Sequence, residues 1–128
     1  MIKSEQITSK FNKKSPFYEL EERTFRFAKD VGLFIRRIPR SIENIEYCRQ
    51  LARASGSPGA NYREANESLG KKDFLMRIKI CKKEAKESVY WLRLLNLYED
   101  ELIKECDRLI KEAIELMNIF GAIQRNSS

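Results

Sequence analysis

Apolar residues recur at helical spacing through most of the chain and predict four long helices. The first set lies three, four or seven residues apart, which places its members on one side of an α-helix. It consists of Leu20, Phe27, Val31, Phe34 and Ile38. Ser15-Pro16 precedes the set and Pro39 follows it. Because proline suits the first turn of a helix but interrupts its interior, the first helix is expected between these two prolines.

The second helix is expected from Ser41, which suits an N-cap, to Leu69. Its predicted inner side consists of Ile45, Cys48, Leu51, Ala52 and Ser55. The segment Gly56–Gly59 interrupts the pattern, since Pro58 lacks an amide hydrogen and its ring crowds the preceding turn. The pattern resumes at Tyr62, which favours one helix kinked near Pro58. Two short helices are the alternative.

Gly70 precedes a third helix, expected from Lys71 to about Leu97, and a turn over residues 96–100 precedes the fourth. The predicted inner residues of the third helix are Phe74, Ile78, Cys81, Ala85, Val89 and Leu92. Those of the fourth helix are Leu102, Cys106, Leu109, Ala113, Met117 and Phe120. Gly121 is expected to loosen the end of the fourth helix.

Four helices of about 20 or more residues with short connections indicate an all-α, antiparallel up-and-down four-helix bundle. No segment shows the alternation of apolar and polar residues that is typical of a strand. The predicted organisation is a flexible N-terminal arm over residues 1–15, the bundle over residues 16–124 and a frayed tail over residues 125–128.

The third helix has two further faces beside its inner one. Five lysines form a basic stripe: Lys72, Lys79, Lys82, Lys83 and Lys86. Four residues form a second apolar stripe outside the core arc: Met76, Ile80, Trp91 and Leu94. A bundle helix needs only one apolar face, so the second favours a subunit interface. The alternative is that Trp91 caps one end of the core.

One face of the second helix carries small and polar side chains, mostly opposite its predicted inner residues. They are Arg53, Ser57, Asn61, Glu64 and Ser68. Such side chains allow close helix approach and hydrogen bonds across an interface. An ordinary solvated face explains the same spacing equally well.

The charge and residue counts narrow the function. The 25 Lys and Arg exceed the 19 Asp and Glu, for a net charge of +6, which is compatible with a nucleic acid or an acidic partner. The absence of His removes the commonest general base and metal ligand. The GSPG segment lacks the GK[ST] ending of a phosphate loop. We therefore predict no catalytic residues, no metal, no cofactor and no enzyme activity.

The remaining signals concern location and surface pairing. Three dispersed cysteines and no secretory signal favour a reduced, cytoplasmic protein. No apolar run reaches the ~18 residues of a membrane span, so no membrane association is expected. Lys83 and Glu87, four residues apart, are expected to form a surface salt bridge.

Two long segments resemble a known family. They read QLARASGSPGANYREAN and KKDFLMRIKICKKEAKESVYWLRLL, with FRFAKDV on the first helix. This pattern is similar to the bacterial four-helix bundle proteins, also called intervening-sequence proteins because they are encoded inside insertions in large-subunit ribosomal RNA genes. The resemblance covers roughly residues 20–119. Its characteristic positions are Arg53, Asn61, Glu64, Asp73, Phe74, Glu84 and Trp91.

The resemblance implies an antiparallel bundle that assembles into a homopentameric ring. A related protein, the accessory protein of diversity-generating retroelements, is a basic pentamer that binds nucleic acid and a reverse transcriptase. By this resemblance, Arg53, Asn61 and Glu64 join the outer apolar stripe as the expected oligomer interface. Pro58 departs from the simpler run of small residues that the family often has there.

Two functions follow from these signals. The first is an oligomeric accessory protein that binds RNA or DNA phosphates through the lysine stripe. The second is a protein-interaction scaffold that recruits a partner protein, such as a reverse transcriptase. In that case the lysine stripe is a solvated face or contacts an acidic partner.

Overall fold

The computed structural model describes residues 15–127, which fold into four helices packed side by side. They are α1 (Pro16–Ile35), α2 (Ile42–Asn66), α3 (Lys71–Leu94) and α4 (Asp100–Ser127). Each helix packs against the next, and α4 also packs against α1. Because short turns join neighbouring helices, successive helices run in opposite directions. The predicted all-α antiparallel bundle is confirmed. The predicted N-terminal arm lies outside the described residues, except for Ser15.

The end of α1 differs from the expected stop at Pro39. The helix ends at Ile35, and a tighter turn follows. The amide of Arg37 donates to the carbonyl of Phe34 at 2.9 Å, and the amide of Ile38 donates to Ile35 at 3.2 Å. This turn keeps Ile38 in the core although the regular helix has ended.

The ends of the other helices also differ from their predicted positions by a few residues. α2 and α3 stop slightly before their predicted ends, at Asn66 and Leu94. α4 instead continues through Ser127, so residues 125–127 are helical rather than frayed. Gly121 does not loosen this helix, because it is buried within it.

α2 passes through Gly56–Gly59 as a single helix, so the alternative of two short helices is wrong. Pro58 is buried, and its carbonyl accepts a hydrogen bond from the Cys81 thiol at 3.3 Å. The segment therefore packs directly against α3. A kink at Pro58 stays a prediction.

The core contains every predicted inner residue of α1. In α2 the prediction is partly wrong, because Ile45 is 41% exposed and Ala52 is also exposed. The buried residues of α2 are Asn44, Leu51, Ala54, Ser55, Pro58, Tyr62 and Ala65. Asn44 and Pro58 occupy inner positions, whereas the apolar pattern assigned neighbouring residues to the interior. The inner face of α2 is therefore rotated relative to the predicted one.

The buried Asn44 connects the two turns at one end of the bundle. Its Nδ2 donates to the carbonyls of Pro39 and Asn96, each at 3.0 Å, and its Oδ1 accepts from the amide of Asn96 at 2.9 Å. Ser41 is the predicted N-cap, and its Oγ accepts from the amide of Asn44 at 3.1 Å. The Asn44 side chain therefore connects the turn between α1 and α2 to the turn between α3 and α4.

α1 contacts its two neighbours by different means. At α2, a Cβ added to Gly59 would lie 3.1 Å from Thr24 Oγ1, so glycine permits the close approach of the two helices. At α4, Arg23 pairs with Glu112 at 2.8 Å and Asp30 pairs with Arg108 at 3.0 Å. Arginine side chains therefore connect α1 to α4 on the bundle surface.

Candidate functional site

A polar network joins α2 to α3 on one side of the bundle. Arg53 donates to Glu84 Oε2 at 2.9 Å and also to Glu87. Glu84 is only 9% exposed, although it was not among the predicted inner residues. Because one guanidinium serves two carboxylates, the group retains one negative charge.

Glu87 also accepts a hydrogen bond from Trp91 Nε1 at 2.9 Å. This indole hydrogen bond, followed by the nearby Arg53 charge, lowers the pKa of Glu87 below its ordinary value of 4.5. Lys83 does not pair with Glu87 as predicted. The carboxylate instead pairs with Arg53, which reaches it from the neighbouring helix.

Replacing the indole with a ring that lacks the N–H tests this arrangement. We expect Trp91→Phe to raise the pKa of Glu87, because the largest stabilisation of its charged form is lost. Since the folded-state pKa is the lower one, Glu87 stabilises the fold above about pH 4.5 and loses that contribution as the pH falls through the folded pKa. The variant should therefore lose less stability on acidification than the wild type.

A carbon-detected NMR titration of the Glu87 carboxyl in both proteins measures this shift. Glu105 on α4, whose pKa is lowered by its hydrogen bond from Arg108, serves as an internal control whose midpoint should not change. An unchanged Glu87 midpoint in the variant would contradict the assigned cause.

Aromatic side chains surround this network. The Trp91 ring centroid lies 6.2 Å from that of Tyr47 and 5.1 Å from that of Tyr90. Trp91 is half-buried and packs against the core, so it combines core contact with surface exposure. We call this surface the Trp91 face and define it by Tyr47, Met76, Ile80, Tyr90, Trp91 and Leu94.

The predicted interface residues take different positions around this face. Met76 is 47% exposed, whereas Ile80 and Leu94 are half-buried. Arg77 Nη1 donates to Asn61 Oδ1 at 2.9 Å, and Asn61 Nδ2 donates to the backbone carbonyl and Oγ of Ser57. Arg53 and Asn61 therefore form hydrogen bonds to α3 within the chain, while Glu64 is exposed.

The lysine stripe lies mostly on the outer surface of α3. Lys72, Lys79, Lys83 and Lys86 are exposed. Lys82 is half-buried and reaches toward α4, where its Cε lies 3.7 Å from the position of a Cβ on Gly121. Within residues 15–127, every ion pair uses an arginine and none uses these lysines.

An open pocket of about 700 Å³ lies at the start of α3. Its apolar lining comes from Leu69, Leu75 and Met76, and Lys72 and Lys79 also line it. Leu69 is fully exposed. Part of the lysine stripe therefore borders an apolar surface.

The buried cysteines have structural partners. Burial raises the pKa of Cys81 to about 12 and that of Cys106 to about 11. The Cys106 thiol donates to the Leu92 carbonyl at 3.3 Å, as Cys81 does to Pro58. Both thiols are therefore protonated near neutral pH, the opposite of an activated nucleophile.

Neither a metal-binding group nor a membrane helix is found in the part of the chain that the structure describes. Residues 15–127 contain no cluster of three or more His, Cys, Asp or Glu side chains arranged to hold a metal ion. None of their helices has the length and apolar character needed to cross a membrane.

A family model described as 23S rRNA-intervening sequence protein matches residues 18–122. The chain belongs to this family. All of the Trp91 face and all five lysines lie inside the matched range, as do Arg53, Asn61 and Glu64. This intervening-sequence protein therefore carries its candidate surfaces within the family region.

A solved structure supports the fold of this intervening-sequence protein. It is a protein with unknown function from the S23 ribosomal protein family of Bacteroides thetaiotaomicron. The two are 24% identical, with a TM-score of 0.69 over 85% of this chain and 97% of that chain. At this identity the likeness shows the fold alone. No curated protein matches the chain.

Proposed function

We propose that this protein is a non-enzymatic, oligomeric accessory protein that binds RNA or DNA phosphates through the lysine stripe. The observation that carries the proposal is the state of Lys72, Lys79, Lys83 and Lys86. They are exposed on one helix, and no carboxylate of the described residues pairs with them. Their ammonium charges are therefore free to meet phosphates.

The expected mechanism is electrostatic. Each lysine that contacts a phosphate releases condensed counterions, which favours binding at low salt and weakens it at high salt. Lysine contacts of this kind recognise the backbone and carry little base information. Tyr90 is the exposed aromatic residue beside the lysines, so stacking on bases is expected to be minor.

A matched pair of charge reversals tests the lysine stripe. We expect Lys79→Glu with Lys86→Glu to weaken binding to duplex RNA and DNA. The slope of log K against log salt should flatten by about 1.8 per contacting chain, which is ~0.9 for each lost contact. The control variant, Lys104→Glu with Lys111→Glu, makes the same charge change on exposed residues of α4.

Filter-binding titrations from low to high salt measure both variants. Equal losses in the two variants would show that net charge alone drives binding and would contradict the lysine stripe. Wild-type protein that binds neither nucleic acid at low salt would refute the proposed function.

A protein-interaction scaffold is the second candidate, and the Trp91 face favours it. Tyr90 is 57% exposed and Met76 47% exposed, so this face presents apolar and aromatic surface to a partner. Recovery of one specific protein, such as a reverse transcriptase, from nuclease-treated lysate would support this candidate. Loss of that protein with Met76→Glu would assign the contact to the Trp91 face.

A further inference from the structure

One row of exposed side chains along α3 combines lysines with an apolar residue. Its members follow one another at spacings of three or four residues, which places them on the same side of the helix. They are Lys72, Met76, Lys79, Lys83 and Lys86, and all of them are exposed. At about 1.5 Å per residue, the row extends about 21 Å along the helix. Met76 is therefore the apolar position within a row of lysines.

The pocket at the start of α3 opens beside this row, because Lys72, Met76 and Lys79 all line it. Its volume of about 700 Å³ lies within the range of small-ligand pockets. Leu69 is fully exposed there and Met76 is 47% exposed, so both present apolar surface. Asp73 also lines the pocket, and two lysines with one carboxylate leave the lining with one positive charge. The pocket therefore suits an apolar group that is attached to an anion.

The continuity of the row with the pocket favours one kind of ligand. Lys83 and Lys86 continue the row beyond the pocket, and no carboxylate of residues 15–127 pairs with them. A ligand that contacts the whole row carries repeated negative charges and an apolar group at one of them. A nucleic-acid strand has this composition, since a base accompanies each phosphate. A continuous duplex encloses its bases, whereas an unpaired nucleotide can turn its base toward a protein pocket.

We propose that the pocket receives the base of one unpaired nucleotide while the neighbouring phosphates contact Lys72 and Lys79. This inference rests on the proposed nucleic-acid binding and names its substrate class, which is a strand with a loop, a bulge or a single-stranded end. The base packs on the aliphatic side chains of Leu69 and Met76, a contact separate from the minor stacking expected at Tyr90. Burial of roughly 60 Å² of apolar surface is enough for about a tenfold gain in affinity.

Three RNA duplexes of the same sequence test this inference. The first is continuous, the second has one unpaired nucleotide at its centre, and the third has an abasic nucleotide at that position. The abasic duplex keeps the phosphate and the flexibility of the bulge but lacks the base. Fluorescence anisotropy titrations at one salt concentration measure the three dissociation constants. We expect the wild type to bind the duplex with the unpaired base about tenfold more tightly than the other two.

Two separate variants, Leu69→Ser and Met76→Ser, remove apolar surface from the pocket and leave every lysine in place. Both residues are exposed, so the substitutions do not enter the core, and Leu69 lies outside the Trp91 face. Each variant should reduce the preference for the unpaired base to about threefold, because part of the apolar contact remains. Its affinity for the continuous duplex should equal that of the wild type. Ile114→Ser is the control, since Ile114 is a 38% exposed apolar residue on α4 and should keep the full preference.

The other outcomes overturn the inference in distinguishable ways. Equal wild-type affinity for all three duplexes would exclude the base pocket and leave binding by the lysine stripe intact. Equal affinity for the unpaired and abasic nucleotides would attribute the preference to bending of the RNA. The absence of binding to every duplex would refute the proposed function itself. A glutamate-rich peptide with one leucine is the last probe, and binding that Leu69→Ser abolishes, without a preference for the unpaired base, would assign the pocket to an acidic protein partner.

Discussion

Replacing Asn44 with alanine is expected to destabilise the protein by about 3 kcal/mol. The side chain is 2% exposed and forms three hydrogen bonds to the backbone of two turns. Each such bond contributes roughly 1 kcal/mol, so the loss of all three accounts for the expected change. The loss should exceed that of an ordinary polar truncation because the two turns lose their common anchor.

Urea unfolding followed by circular dichroism measures this change as a shift of the midpoint at constant slope. Asn118→Ala provides the matched control, since Asn118 is an exposed asparagine on α4 and should change stability by less than about 0.5 kcal/mol. Similar effects of the two substitutions would contradict the role of Asn44 as a buried anchor.

Truncation of Phe120 is expected to have a still larger effect. Phe120 is fully buried, and its ring centroid lies 5.7 Å from that of Tyr62 in α2. Phe120→Ala removes a large apolar side chain and leaves a cavity, at a cost of about 4 kcal/mol. The substitution also removes the aromatic contact between α4 and α2, which are not adjacent in chain order.

Phe120→Leu separates the cost of the cavity from the cost of the lost ring contact with Tyr62. It keeps most of the buried volume, so we expect a cost of less than about 1.5 kcal/mol, measured by the same urea unfolding. A graded loss from leucine to alanine supports the cavity explanation. Equal losses in both variants would instead indicate that the ring contact with Tyr62 dominates.

All four helices could be predicted from apolar spacing. The inner face of α2 could not be predicted in this way. In α1, spacing identified the large apolar inner residues Leu20, Phe27, Val31 and Phe34, but it did not identify the buried Thr24. In α2 the inner side includes Asn44, whose burial depends on backbone partners at Pro39 and Asn96. Asn96 is 52 residues from Asn44 in sequence, so no local sequence pattern predicts this contact.

The candidate site shows the same division between local and distant contacts. The lysine stripe could be predicted because its members share one helix, and four of the five are exposed as expected. The prediction of a salt bridge between Lys83 and Glu87 was wrong because Arg53 pairs with the Glu87 carboxylate. Arg53 lies 34 residues from Glu87 in sequence. Glu84 could not be assigned to the interior for the same reason, since its cation lies on α2.

Fold and surface charge depend on different cations in the described part of this chain. Arginines make the ion pairs that connect α1 to α4 and α2 to α3, whereas the stripe lysines on α3 make none. Substitution of those lysines therefore changes the net charge without removing a helix-to-helix ion pair. Variants of these lysines can therefore separate a loss of binding to an anionic partner from a loss of stability.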